Sequence, residues 1–116
     1  MTEKSITGSK GEDMAAAFLR EKEFEIVSRN YRYKRSEIDL IVRKSNLLVF
    51  VEVKTRSSAL FGEPEAFVNA KKAAKIFEGA DQYVHENNWN GNIRFDIVSV
   101  KLGDSPEVIH FEDAFH

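Results

Sequence analysis

No stretch of this chain limits its folding as tightly as residues 36–54. From Ser36 to Lys44, Ile38, Leu40 and Val42 alternate with Glu37, Asp39, Ile41 and Arg43, the period-two pattern of a strand with two distinct faces. From Leu47 the chain is continuously apolar, as in a strand covered on both sides, until Glu52 and Lys54 interrupt it. Ser45-Asn46 between them reads as a tight turn, so the two strands are expected to pair as an antiparallel hairpin. Any even-length loop centred on that turn sets Asp39 opposite Glu52, Glu37 opposite Lys54 and Ile41 opposite Phe50. Period two then puts all six side chains on one face.

The flanking sequence supplies the cover such a hairpin needs. Ser9-Lys10-Gly11-Glu12 has capping-box spacing ahead of Met14, Ala15, Phe18 and Leu19, which predicts a first helix. Residues 1–8 are expected to be a disordered lead, and residues 9–116 a single domain. Phe24 to Tyr33 reads as a strand with Arg29, Tyr31, Tyr33 and Arg35 on one face and Arg32 and Lys34 on the other. Ser57 to Pro64 reads as a loop. Glu65 to about Asn87 carries helical periodicity through Phe67, Ala70, Ala74, Phe77 and Val84. Ile93–Lys101 reads as a strand, Gly103–Pro106 as a turn and Glu107–Phe111 as a short final strand. The order αβββαβ followed by β predicts an α/β fold, a mixed central sheet flanked by helices.

Composition narrows the chemistry. A chain of 116 residues suits one core, and 42% hydrophobic residues with nine Phe can order it without disulfides. There are no cysteines, which excludes a thiolate metal site and a thiol nucleophile and fits a reducing cytoplasm. Met1–Lys10 lacks the apolar run of a signal peptide, and nothing approaches the roughly 18 to 20 apolar residues of a membrane span. A soluble cytoplasmic protein without membrane contact is the expectation. The net charge of −2 does not favour tight polyanion binding overall, but Arg29, Arg32, Lys34 and Arg35 crowd together with Tyr31 and Tyr33 interleaved.

Two carboxylates facing each other across a ladder repel unless a cation or proton intervenes. With hard oxygen donors and neither Cys nor His nearby, Asp39 and Glu52 favour Mg²⁺ or Mn²⁺ over zinc, and the carbonyl of Val53 could complete the protein's share. Lys54, on the same face, would reach a metal-activated water and the phosphate it attacks. Cleavage of an anionic phosphodiester requires that pairing of positive charge with a polarised water.

Glu37-Ile38-Asp39, then twelve residues, then Glu52-Val53-Lys54 resembles the signature of the PD-(D/E)xK nuclease superfamily. A longer set of residues carries a more specific resemblance. Gly11-Glu12, Arg29-Asn30, Glu37 to Ile41, Val49 to Arg56, Lys72, Arg94 to Val98 and Asp113-Ala114-Phe115 look like the YraN family of endonuclease-like bacterial proteins, over nearly all of residues 11–115. Ser36 stands where that family usually has glycine.

The resemblance implies a restriction-endonuclease-like core similar to archaeal Holliday-junction resolvases. Asp39 and Glu52 would be metal ligands, Lys54 the catalytic lysine, and Glu12 the carboxylate that the first helix adds. It implies a Mg²⁺-dependent endonuclease on DNA, with branched or damaged structures as candidate substrates. Glu37 would support the site from behind, and Arg29, Arg32, Arg35, Arg56 and Lys72 would contact nucleic acid.

Plainer readings stand beside these. Glu12 at the third position of a capping box needs no further role. Lys72, between Val68 and Ile76, could snorkel with its stem packed. The basic cluster could be the soluble rim of an edge strand. The alternative function is a nuclease-like fold that grips nucleic acid without turnover. A homodimer is physically plausible for an enzyme that must cut two strands.

Overall fold

The computed structural model describes residues 3–57 and 67–116. Its elements are α1 (Glu3–Glu21), β1 (Glu25–Tyr33), β2 (Ser36–Lys44), β3 (Leu47–Arg56), α2 (Ala70–Glu86), β4 (Asn92–Lys101) and β5 (Glu107–Phe111). The strands form one mixed sheet in the order β1-β2-β3-β4-β5. Only β3 and β4 run parallel, as the α2 crossover between them requires. The predicted element order and α/β class are therefore those of the structure.

Each face of the sheet is closed by one helix. Ala15, Ala16 and Leu19 of α1 are buried against Leu40, Val42, Val49, Val51, Val98 and Val100. Ala73, Ile76 and Ala80 of α2 are buried against Ile38, Ile41, Leu48, Phe50 and Ile97, with Phe77 and Phe95 packed alongside. Full burial of an aliphatic or aromatic side chain stabilises by about 1.5–3 kcal/mol, so β3, buried from Leu48 to Glu52, is the spine of the fold. The chain end is pinned by the same chemistry: Phe115 is buried 5.5 Å from the Phe95 ring, and the Ala114 N–H donates to the Phe95 carbonyl at 2.8 Å.

Both helices stop by one device. Glu23 (φ 72°) and Asn88 (φ 50°) take the left-handed conformation just past the last turn. The N–H groups of Phe24 and Trp89 reach back five residues to Leu19 and Val84, and those of Glu23 and Asn88 reach back three to Arg20 and His85. This is the Schellman arrangement, sealed in α1 by Phe24 packing in the same cluster as Leu19.

Two helix starts differ from the sequence reading. α1 begins at Glu3, so residues 3–8 are helical and not a disordered lead, and Ser9 is not its cap. A capping box favours a start without compelling one. Where the backbone upstream is already helical, the N–H groups it would serve are bonded one turn back. α2 begins at Ala70, because Asn69 caps it with Oδ1 accepting the Lys72 N–H at 2.8 Å. The expected start at Glu65, and nearly all of the Ser57–Pro64 loop, lie outside the described residues.

A third difference shapes the site. The β2–β3 register is the expected one, Lys44 opposite Leu47 through Leu40 opposite Val51, but the paired positions end there, one step before Asp39 and Glu52. Period two also fails at Asp39: Leu40 and Val42 face α1, whereas Ile38 joins Ile41 on the α2 side. The single-face reading of Ile38, Leu40 and Val42 is thereby corrected.

The neighbouring strand breaks at the same level. Asn30 has φ 54° between the pairs Arg29–Leu40 and Tyr31–Ile38. Arg29 accordingly reaches Asp13 on α1, and Tyr31 reaches Glu86 on α2. The expected common face of Arg29, Tyr31, Tyr33 and Arg35 does not exist, because a left-handed residue turns the strand over between positions 29 and 31.

Candidate metal and phosphate site

The place where the β2–β3 ladder opens is where the two carboxylates meet. Asp39 Oδ2 accepts the Val53 N–H at 2.8 Å, a side chain standing in for a strand partner. Glu52 is 6% exposed on a strand otherwise filled with apolar residues. Burial, the adjacent Glu52 charge and, less strongly, Glu12 push the Asp39 carboxyl up to about 7, against the opposing pull of the Val53 N–H. Glu12 is thus within electrostatic reach of Asp39 from α1. Its own near neighbour is Arg29, at 3.8 Å.

α1 comes this close because Gly11 lies directly on the Thr55 side chain of β3, leaving no room for a β-carbon. On the opposite face, Lys72 Nζ from the first turn of α2 lies 3.0 Å from Glu52 Oε1. Partial burial would lower the Lys72 pKa, but the bond and charge of Glu52, with Asp39 and Glu37 behind it, more than reverse this and raise it. An ammonium therefore stands against one of the two proposed metal ligands. Lys54 continues β3 opposite Ser99 of β4, half-buried, two residues beyond Glu52 and so on the same face by alternation.

The donor set fits a hard divalent cation. Asp39 and Glu52 offer carboxylate oxygens at a point of mutual repulsion, and the Val53 N–H holds one oxygen of Asp39. Among the described residues no three His, Cys, Asp or Glu side chains converge on a common point. A cation held here would take two carboxylates and complete its shell largely with water, as Mg²⁺ does.

The basic residues divide into groups. Arg29 is engaged by Asp13 at 2.9 Å and Glu12 at 3.8 Å, toward α1. Arg32 meets Glu37 at 3.5 Å across the β1–β2 pair, so the cross-strand partner of Glu37 is an arginine. Arg56 ends β3, its carbonyl accepting the Leu102 N–H at 2.8 Å. Arg35, by contrast, lines a cavity of about 440 Å³ that also contains Asp39, Lys71, Lys72, Lys75 and Ile76. Lys71 and Lys75 did not stand out in the sequence, although they are four residues apart on one helix and flank Lys72.

Asp96 is a buried acid of a different kind. It is fully buried and accepts two bonds from Arg94 at 2.8 Å, one from the Asp113 N–H at 2.9 Å, and lies 2.7 Å from His110 Nε2. Burial alone would raise its pKa, but His110, Arg94 and the Asp113 N–H outweigh that and lower it. It ties β4 to β5 and the chain end, a structural hydrogen-bonding role.

Comparison with known proteins places the chain among relatives of similar length. It is 40% identical to a UPF0102 protein of Christiangramia forsetii over 99% of this chain and 98% of that protein. It is 42% identical to one from Flavobacterium psychrophilum over 100% and 98%, and 43% identical to one from Anaeromyxobacter dehalogenans over 97% and 85%. Residues 11–100, from the Gly11–Thr55 contact through β4, match a family model described as "Uncharacterised protein family UPF0102". The chain belongs to this family, the one that the resemblance in Glu37–Ile41 and Val49–Arg56 pointed to.

Proposed function

We propose that this protein is a metal-dependent nuclease that hydrolyses phosphodiester bonds in DNA, with Mg²⁺ or Mn²⁺ held by Asp39, Glu52 and the Val53 carbonyl. The observation that carries the reading is the meeting of Asp39 and Glu52 where the strand pair opens, with Asp39 pushed up to about 7 by burial and its neighbour. Two neighbouring buried carboxylates oppose each other's ionisation, and a shared cation removes that conflict. A bound divalent ion would supply Lewis acidity toward the phosphate and ease deprotonation of water.

The chain's own residues do the rest. Val53 N–H fixes the Asp39 carboxylate, so one oxygen is oriented before any ligand arrives. Lys54 brings positive charge to the face shared with Glu52 and orients the attacking water or the phosphate. Glu12 adds negative charge from α1, which strengthens cation affinity, and Glu37 holds Arg32 at the rim. Lys72 neutralises Glu52 and is placed to transfer its hydrogen bond to a phosphate oxygen.

A second reading is favoured by that same contact. Lys72 satisfies Glu52 without any metal, as a non-catalytic nucleic-acid-binding module would require. The test is incubation of purified protein with duplex, flapped, four-way and single-stranded DNA, and with RNA, in Mg²⁺, Mn²⁺ or EDTA, beside Asp39→Ala and Lys54→Ala. Divalent-dependent cleavage lost in both variants supports the nuclease. Binding without cleavage under every condition supports the second reading.

A further inference from the structure

We infer that the cavity between α2 and the β1–β2 turn is a binding trench for an unpaired nucleic-acid strand, with Arg35, Lys71 and Lys75 holding phosphates and Phe67 stacking a base at its mouth. The inference rests on the proposed nuclease reading only for the position of the scissile bond. Its grip on a strand stands separately.

Charge is the first argument. The chain carries a net −2, yet this cavity gathers Arg35, Lys71, Lys72 and Lys75 against the acids Glu37 and Asp39. Lys72 is engaged by Glu52. Arg35, Lys71 and Lys75 are exposed and make no ion pair with another described residue. Such cations on a near-neutral protein form a local funnel for polyanions.

Shape is the second. Lys71 and Lys75 lie one turn apart on α2, Arg35 stands across from them, and Ile76, buried at 3% exposure, forms an apolar floor leading to Asp39. A recess of about 440 Å³ has room for a short length of one strand.

The third argument is aromatic. Phe67 is 66% exposed two residues before the Asn69 cap, although the other described large aromatics of the α2 layer are packed. An exposed ring four residues before Lys71 in the chain supplies the kind of stacking surface by which proteins hold unstacked bases without reading their sequence. Tyr31, interleaved with the basic cluster of β1, is bonded to Glu86 at 2.7 Å and packed on Tyr83 instead.

The test measures binding, not turnover. Fluorescence anisotropy with labelled oligothymidylate, and with a duplex of equal length, is run in EDTA on the wild type, Lys71→Glu/Lys75→Glu and Phe67→Ala, each confirmed folded by circular dichroism. Single strands should bind at least tenfold more tightly than duplex. The double charge reversal should weaken that binding at least tenfold and flatten its salt dependence. Phe67→Ala should weaken single-strand binding severalfold and leave duplex binding unchanged. Equal affinity for duplex and single strand, or indifference to the charge reversal, would overturn the inference. Binding that behaves as expected without cleavage under any condition leaves the trench standing and removes the nuclease; cleavage that ignores the charge reversal does the opposite.

Discussion

Asp39 and Glu52 occupy the first position beyond the last paired residues of β2 and β3, and the Val53 N–H donates to Asp39 Oδ2 at 2.8 Å. The sheet opens there, and the opening brings two like charges together while leaving room beside them for a ligand.

A pH dependence of stability follows from that contact. Asp39 has an ordinary value of 3.8 and rises to about 7 in the folded protein, so between those limits the folded state binds more protons than the unfolded one. In EDTA, stability should be full below about pH 4, fall as pH climbs toward 7 and level off above it. Burial and screening hold the loss to the order of 1–4 kcal/mol. Asp39→Asn should remove most of this slope, and Mg²⁺ should offset it above pH 7. Urea melts at several pH values with and without metal check this; identical slopes in wild type and variant would discard the account.

Lys72 should govern how much the fold depends on a cation. Lys72→Met deprives Glu52 of its partner, and because the lysine is half-exposed the expected cost is about 1 kcal/mol in EDTA. Millimolar Mg²⁺ should then raise the melting temperature of the variant more than that of the wild type, since the ion no longer competes with an ammonium. Calorimetric scans with and without Mg²⁺ decide it, and an equal rise in both proteins counts against the model of competition.

Gly79 of α2 lies directly against Ser36 of β2, with no space for a methyl group between them. Gly79→Ala should destabilise by about 1–3 kcal/mol despite the better helix propensity of alanine. Ser36→Gly in the same chain should recover most of that loss, because it removes the hydroxymethyl group the new methyl would strike. Denaturant melts of the two single variants and the double variant give the coupling; strict additivity would show that the contact is unimportant.

Asn30 should tolerate glycine and reject a β-branched residue. At φ 54° Asn30→Gly is expected to be near neutral, whereas Asn30→Val should cost about 1–2 kcal/mol or more. Because the turn-over of β1 at this level separates Arg29 from Tyr31, the valine variant should also shift the amide resonances of Asp39 and Val53. Nuclear magnetic resonance spectra unchanged at those two residues would uncouple Asn30 from the site.

Much of this was legible in the chain because the signals were local. The Ser45-Asn46 turn and the apolar runs on either side set the β2–β3 register, and the register alone brings Asp39 level with Glu52. The Met14, Ala15, Phe18 and Leu19 periodicity and that of α2 supplied one helix for each face. The starts of the helices were less secure, since a Ser-x-x-Glu spacing looks the same inside a helix as at its beginning, and Asn69 gains meaning only when the turn after it is formed.

What tertiary structure decided is which way the side chains go at the points where regular pairing stops. Nothing local in Arg29-Asn30-Tyr31 shows that Asn30 turns left-handed, sending Arg29 to Asp13 and Tyr31 to Glu86. Nor does the Lys71-Lys72-Ala73-Ala74-Lys75 run indicate that one lysine meets Glu52 while its neighbours line a trench with Arg35. Residues far apart in sequence meet only through the packing of α2 across the sheet. Alternation and turn chemistry are properties of a few adjacent residues, whereas a charge on a helix acquires a partner only when the whole layer is in place.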